Sequence, residues 1–428
     1  MTAATPVSLA ATRLLLNALR PNQTPTTWES DRLRLNAGWD DLAVRAIVLG
    51  LAPQLHRRLA EWGAPPPPRA AAKLAVTHKA TARRNADIFD QLGGALTAFA
   101  GRGLQPIALK GVHLAALVYP DPALRPMNDI DLLFTPDELS VAESILESLG
   151  YGGKHKSSDL GPGVTKHTST FRRDSATGST PNPYLSPEGD RMIEPHTSLE
   201  ESWFGLRVDI TPGVRERAVE AELAGQRCRV LAREDLLLHL CVHFCFHLIM
   251  GVPSMVQLAD LLAVTYGQTD ASAPTAKPHG RSIERPYSTT VNWVLFTSLA
   301  LESRAAPYAL AALTLAHELL GAPIPTDALN TLSRAAPPAL RNRIASLGLA
   351  NILRRTQQKP PTSIPQRIMR GFADRAETAR WAPDWRGRWQ VWRTALNVSA
   401  TDTGRLLIGR PTKDERPTTQ QPNRPTTK

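Results

Sequence analysis

The chain has little cysteine: Cys228, Cys241 and Cys245 are the whole set among 428 residues. An odd, unevenly spaced trio builds no disulfide framework, and a chain of this length buries enough core not to need one, so the usage fits a reducing cytoplasm. Long apolar runs are missing too. The richest stretch, Leu236 to Met250, is interrupted by His239, Cys241, His243 and His247, and it falls short of the about 20 residues that form a transmembrane segment. Near the start, Leu14-Leu15-Leu16 is hemmed in by Arg13, Asn17 and Arg20 with no basic leader ahead, which argues against a secretory signal. No internal repeat is visible. Pro411 to Lys428 carries no aliphatic or aromatic side chain, so that tail has nothing to bury and is expected to be disordered.

A broad basic surface is also lacking, despite a net charge of +11. Asn351 to Lys428 holds 16 Lys and Arg against 6 Asp and Glu, which accounts for +10 of that total. The near-neutral body does not offer the phosphate-binding surface of a polymerase that tracks a long nucleic acid; a nucleic-acid partner is allowed by the tail but not favoured.

What the chain does have is Asn128-Asp129-Ile130-Asp131-Leu132-Leu133-Phe134, two carboxylates with one residue between them at the start of an apolar strand. Side chains alternate along a strand, so Asp129 and Asp131 share one face while Ile130 and Leu132 take the other. Hard oxygen ligands paired in this way suit Mg²⁺, which completes its shell with water and substrate phosphates. That is phosphoryl-transfer chemistry.

Around this pair stand Ala108-Leu109-Lys110-Gly111, Leu117-Val118-Tyr119-Pro120-Asp121-Pro122, Leu124-Arg125-Pro126-Met127, Leu149-Gly150-Tyr151, Met192-Ile193-Glu194-Pro195-His196 and Val230 to His239. In that order they resemble the uncharacterised nucleotidyltransferase family within the DNA polymerase beta-like superfamily, over roughly residues 80 to 330. The resemblance implies an α+β fold: a small mixed-sheet nucleotidyltransferase core with flanking helices and a helical C-terminal domain. It implies transfer of a nucleoside monophosphate from a nucleoside triphosphate to an acceptor hydroxyl, with release of pyrophosphate. Asp129 and Asp131 would hold Mg²⁺, with Mn²⁺ as a substitute, and Glu194 would be the third carboxylate. The acceptor is left open among a small molecule, a peptide, a protein side chain and an RNA end. The alternative is a catalytically silent nucleotide-binding or scaffold protein of the same fold.

Two departures from the superfamily pattern motivate that alternative. Lys110-Gly111 stands where a Gly-Ser pair usually cradles phosphates, so Lys110 is read as a point-charge clamp beside the helix start at Gly111. Pro195 directly follows Glu194, which limits strand hydrogen bonding to one side and puts the alignment of Glu194 with the aspartates in question. Glu200, Glu201 and Asp209 compete with it for the third-carboxylate role. Arg125 is expected either to pair with Asp121 or to reach the pyrophosphate.

The organisation read along the chain is a helical region at 1–100, the nucleotidyltransferase core at 101–215, a helical domain at 216–350, and a basic tryptophan-containing helix with a tail at 351–428. A helix is expected from about Arg69 to Ala100, a strand at Pro106 to Leu109, and a Gly-, Ser- and Thr-rich loop within 152–191. His239, His243 and His247 share a helical stripe, with Cys241 and Cys245 almost opposite, so the five do not make one zinc site. The resemblance brings this helix to the cleft, where His243 or His247 would touch phosphate or acceptor. Trp381, Trp385, Trp389 and Trp392 are expected to dock onto the core; a basic membrane-surface or nucleic-acid contact is the alternative.

Overall fold

A computed structural model describes residues 6–155, 169–173, 191–266, 290–356 and 362–396. The chain opens with four helices, α1 (Pro6–Ala18), α2 (Pro25–Arg34), α3 (Trp39–Val48) and α4 (Ala52–Glu61), followed by the 33-residue α5 (Pro68–Ala100). The core follows as β1 (Ile107–Ala108), α6 (Lys110–Leu117), a 3-10 turn at Pro122–Leu124, β2 (Asp129–Leu133), α7 (Leu139–Ser148), β3 (Gly152–His155), β4 (Ser169–Arg172) and β5 (Met192–His196). Then come β6 (Glu200–Trp203), β7 (Leu206–Asp209), α8 (Val214–Arg217), β8 (Val219–Leu223) and β9 (Gln226–Val230). The remainder is helical: α9 (Arg233–Met250), α10 (Met255–Tyr266), α11 (Trp293–Glu302), α12 (Ala306–Leu320), α13 (Thr326–Ala335), α14 (Pro338–Ala345), α15 (Leu349–Thr356), α16 (Ile364–Ala379) and α17 (Trp385–Leu396).

The fold is α+β, as the motif order implies. A seven-stranded mixed sheet runs β3-β4-β5-β2-β1-β9-β8, with β6 and β7 as a separate hairpin. Ile130, Leu132, Phe134, Phe171 and Ile193 on one face of the sheet join Ile88, Leu92, Leu96 and Phe99 of α5 and Leu146 of α7 in one apolar cluster. The α5 residues recur at helical spacing, which is why so long a helix lies along the sheet. Gly93 permits the contact near its end, because a Cβ there would stand 3.2 Å from the Ala224 carbonyl oxygen in the β8–β9 turn.

The larger apolar cluster joins both ends of the chain: Leu14, Leu15 and Leu16 of α1 share it with Phe246, Tyr308, Leu313 and Trp381. The helices before residue 100 and after residue 232 therefore bury one another's apolar stripes. The sheet also runs on past the boundary expected at 215, since β9 pairs in parallel with β1 and β8 closes the edge as a hairpin. The stretch from Trp293 to Leu320 is two helices, interrupted where Arg304 takes a positive φ of 56° ahead of Pro307. Pro337 and Pro338 likewise divide the segment after Thr326.

The tryptophan stripe does not dock as expected. Trp385 and Trp389 are 69% and 57% exposed. The helix instead buries Val391, two residues on from Trp389 and hence on the opposite side. Trp381, before the helix, is fully buried at 0% exposure, and its carbonyl accepts a hydrogen bond from the Tyr308 hydroxyl at 3.1 Å.

Most of the loop expected within 152–191, the polar stretch Gln268 to Thr289 and the tail Pro411 to Lys428 lie outside the described residues. Among the described residues no helix is long and apolar enough to cross a membrane.

Candidate active site

The register of two parallel strands builds the site. β2 and β5 pair so that Asp131 stands opposite Glu194 and Asp129 opposite Met192. Aligned residues of neighbouring strands share a face, and alternation brings Asp129, Asp131, Glu194 and His196 to the same side of the sheet. Pro195 does not upset this. The Phe134 amide donates to the His196 carbonyl at 2.8 Å, so the backbone groups of His196 point to β2 and, by alternation, the Pro195 nitrogen turns toward β4. The missing donor falls on the β4 side, and the ladder to β2 runs unbroken from Asp129 to Leu133.

Asp131 is the hub. Its Oδ1 lies 2.6 Å from His196 Nε2 and 3.2 Å from Lys110 Nζ, and the residue is only 3% exposed. Thr170 on β4 donates from Oγ1 to Glu194 Oε1 at 3.2 Å. The ligand atoms of Asp131, Glu194 and His196 converge within 4.8 Å of one another. Asp129 is half-buried beside this group. Burial and the neighbouring Asp131 push its carboxyl up to about 6, with Glu194 adding to the rise while Lys110 and Arg125 oppose it.

Lys110 arrives from the other side of the sheet centre. Leu109 bonds its amide to the Asp131 carbonyl at 3.0 Å, which carries the β1–α6 junction alongside β2. Lys110 opens α6 with φ +39°, a left-handed conformation that an L side chain adopts at a cost. Burial pushes its ammonium down, but Asp131, Asp129 and Glu201 outweigh that and raise it above the usual lysine range. Gly111 leaves room for what lies over it: a Cβ there would meet Arg125 Nη1 at 3.0 Å and the Met127 sulfur at 3.4 Å.

Arg125 does not pair with Asp121, the protein partner read from sequence. Its Nη2 donates to Asp260 Oδ2 at 2.9 Å and its Nε to Asp260 Oδ1 at 3.3 Å. The Tyr119 hydroxyl donates to the same Oδ1 at 2.9 Å. Asp121 instead caps the 3-10 turn through the Ala123 amide at 2.9 Å. Arg125 thus ties the loop before β2 to α10, and it remains near enough to Asp129 to bear on its carboxyl. The same loop is held from α5, where Asn85 Nδ2 donates to the carbonyls of Pro122 at 2.6 Å and Arg125 at 2.8 Å. Arg84 reaches Asn128 Oδ1 at 3.1 Å.

His243 faces a carboxylate, its Nδ1 2.8 Å from Glu201 Oε1. His247 Nδ1 accepts from Gln257 Nε2 at 3.2 Å. Of the competing acids, Glu200 pairs with Arg207 across the β6–β7 hairpin and Asp209 caps the Thr211 amide. Neither joins Asp131.

Several of these roles have no mark in the sequence alone. His196 follows Glu194 at strand spacing, so period two was enough to place it on the acid face, although its grip on Asp131 depends on register. Thr170 and Asp260 carry no local signal, and Glu201, a candidate third carboxylate by sequence, carries none that points to His243; long stretches of chain separate all three from what they touch.

The donor set of Asp129, Asp131 and Glu194 consists of hard oxygens, and it crowds like charge onto a buried face, as the raised Asp129 carboxyl records. A divalent cation with oxygen preference fits such a set. Neither a curated protein nor a solved structure matches the chain. The family suggested by the motif order does match: the chain belongs to the uncharacterised nucleotidyltransferase family, whose model matches residues 36–278.

Proposed function

We propose that the protein is a metal-dependent nucleotidyltransferase that moves a nucleoside monophosphate from a nucleoside triphosphate to an acceptor hydroxyl. The observation that carries this reading is the register of Asp131 against Glu194 on adjoining parallel strands, with Asp129 on the same face. Asp129, Asp131 and Glu194 would hold Mg²⁺ or Mn²⁺, which when bound neutralises phosphate charge and lowers the pKa of a coordinated hydroxyl.

The protein's own groups do the rest. Lys110 brings a positive charge beside the unpaired backbone N–H groups at the start of α6, and together they suit the β and γ phosphates. The acceptor oxygen attacks the α-phosphorus, a P–O bond forms, the bond to the bridging oxygen breaks, and pyrophosphate leaves. Glu194 takes the proton from the acceptor hydroxyl. His196 and Thr170 act as positioning residues, fixing the carboxylates of Asp131 and Glu194 by hydrogen bonds. Arg125 holds the Gly111 helix start in place through its packing over that residue.

The test is intact-mass analysis of the full chain and candidate acceptors after incubation with Mg²⁺ and mixed nucleoside triphosphates. A nucleoside monophosphate adduct on one acceptor is expected, and Asp129→Asn and Asp131→Asn should each slow its formation by at least about 10²-fold. Calorimetric triphosphate binding with no adduct or pyrophosphate for any acceptor would instead identify a silent nucleotide-binding protein.

A further inference from the structure

We propose that Glu201, His239 and His243 form a second metal site, distinct from the carboxylate face of β2 and β5 and suited to a zinc-class transition ion. The site is assembled from two elements that pack directly. Glu201 lies on β6, one strand of a hairpin with β7 in which it pairs with Val208. His239 and His243 stand one turn apart on α9, so both rings leave the helix on the same side. β6 lies against α9.

The three ligand atoms fall within 4.8 Å of one another. Around a tetrahedral ion with bonds of about 2.1 Å, ligand atoms sit about 3.4 Å apart, so closing the set requires side-chain rotation and no movement of the backbone elements. His243 Nδ1 and Glu201 Oε1, now 2.8 Å apart, would separate slightly to admit the ion. Glu201 is 2% and His239 3% exposed, so a cation there would meet little competition from solvent. The flanking rings limit how the ligands turn: His239 lies edge-on to His243 at 6.0 Å, and His247 covers the other side of His243 at 4.3 Å.

The chemistry of the set decides the ion. Two imidazoles and one carboxylate favour zinc, cobalt or nickel over magnesium, whereas the oxygen face at Asp129, Asp131 and Glu194 has the opposite preference. Three protein ligands also leave a fourth coordination position. The cysteines on the far side of α9 do not contribute, and burial raises the Cys241 thiol well above its usual range.

Because Asp131, Glu194 and His196 converge as well, the test must separate the two clusters. The metal-stripped full chain is exposed to equimolar Zn²⁺, passed through a desalting column and analysed for metal, with a chromogenic chelator as competitor. Co²⁺ is then added to read coordination from visible ligand-field bands. Asp131→Asn/His196→Asn should keep one tightly held zinc and the intense bands of tetrahedral Co²⁺. Glu201→Gln and His239→Asn/His243→Asn should each lose them, with zinc affinity down at least about 100-fold. Zinc that disappears with Asp131→Asn/His196→Asn but survives Glu201→Gln would overturn the proposal, as would folded wild-type protein that retains none. If the double histidine variant does not fold, Glu201→Gln and the wild-type cobalt spectrum decide between these outcomes. None of these readouts depends on nucleotidyl transfer, so their failure leaves the proposed activity standing.

Discussion

Arg125 and Asp260 meet as a two-pronged ion pair, Nη2 to Oδ2 at 2.9 Å and Nε to Oδ1 at 3.3 Å, with the Tyr119 hydroxyl on the same carboxylate. Asp260 is fully buried. The pair joins the loop that precedes the acid strand to a helix of the C-terminal half, and the guanidinium packs over Gly111. A buried ion pair adds little over an apolar filling, but losing one partner strands the other charge.

Asp260→Ala should therefore lower unfolding free energy by about 3 to 5 kcal/mol. Arg125→Met/Asp260→Leu should cost less than the sum of the single changes, because it removes both charges together. Urea titrations of Asp260→Ala, Arg125→Met, Asp260→Leu and the double variant check this. Additive losses would mean that the two side chains are not coupled.

The raised carboxyl of Asp129 gives a pH signature. With no cation bound, Asp129 keeps its proton up to about 6 rather than releasing it near 3.8. A cation binds the ionised form, so Mn²⁺ affinity should be full above that value and weaken as pH falls through about 6. In chelator the sign reverses for stability. The folded chain binds the proton more tightly than the unfolded chain does, so this group's contribution is largest at low pH and is lost as pH rises through about 6. Manganese titrations by electron paramagnetic resonance, and melting in chelator, should both lose this component in Asp129→Asn.

At Lys110 the backbone and the side chain make separate predictions. The φ of +39° penalises any residue with a Cβ, so Lys110→Gly should be more stable than Lys110→Ala by about 1 kcal/mol, although neither has the ammonium. If Lys110 grips the triphosphate, both should raise KM and lower kcat/KM by about one to two decades, the value of a charge-assisted contact. Equal stability of the two variants would contradict the backbone strain, and unchanged kinetics would move the phosphate grip elsewhere.

Trp381 and Trp389 should behave as opposites. Trp381→Ala empties a fully buried site and should cost about 3 to 5 kcal/mol. Trp389→Ala removes an exposed ring and should stay within about 0.5 kcal/mol. Thermal melts of the two variants separate packing from exposure on this part of the chain.

The sequence by itself determined the parts whose cause is local. Alternation along Asp129 to Leu133 set which acids share a face, the four consecutive prolines Pro65 to Pro68 and the apolar spacing of Ile88, Leu92, Leu96 and Phe99 set the long helix, and the order of short motifs identified the family. Tertiary structure decided whatever depends on pairing distant segments. A period-two pattern says which way Glu194 points along its own strand but not which residue stands across from it; the parallel register with β2 supplied Asp131. The same holds for Arg125, whose short-range candidates gave way to Asp260 because burial of a guanidinium demands a carboxylate wherever the fold provides one. The tryptophan stripe had two usable faces by periodicity, and the position of α17 chose Val391. Glu201 reached His239 and His243 only when the β6–β7 hairpin packed on α9, since no local rule links a strand residue to a helix that follows three further strands.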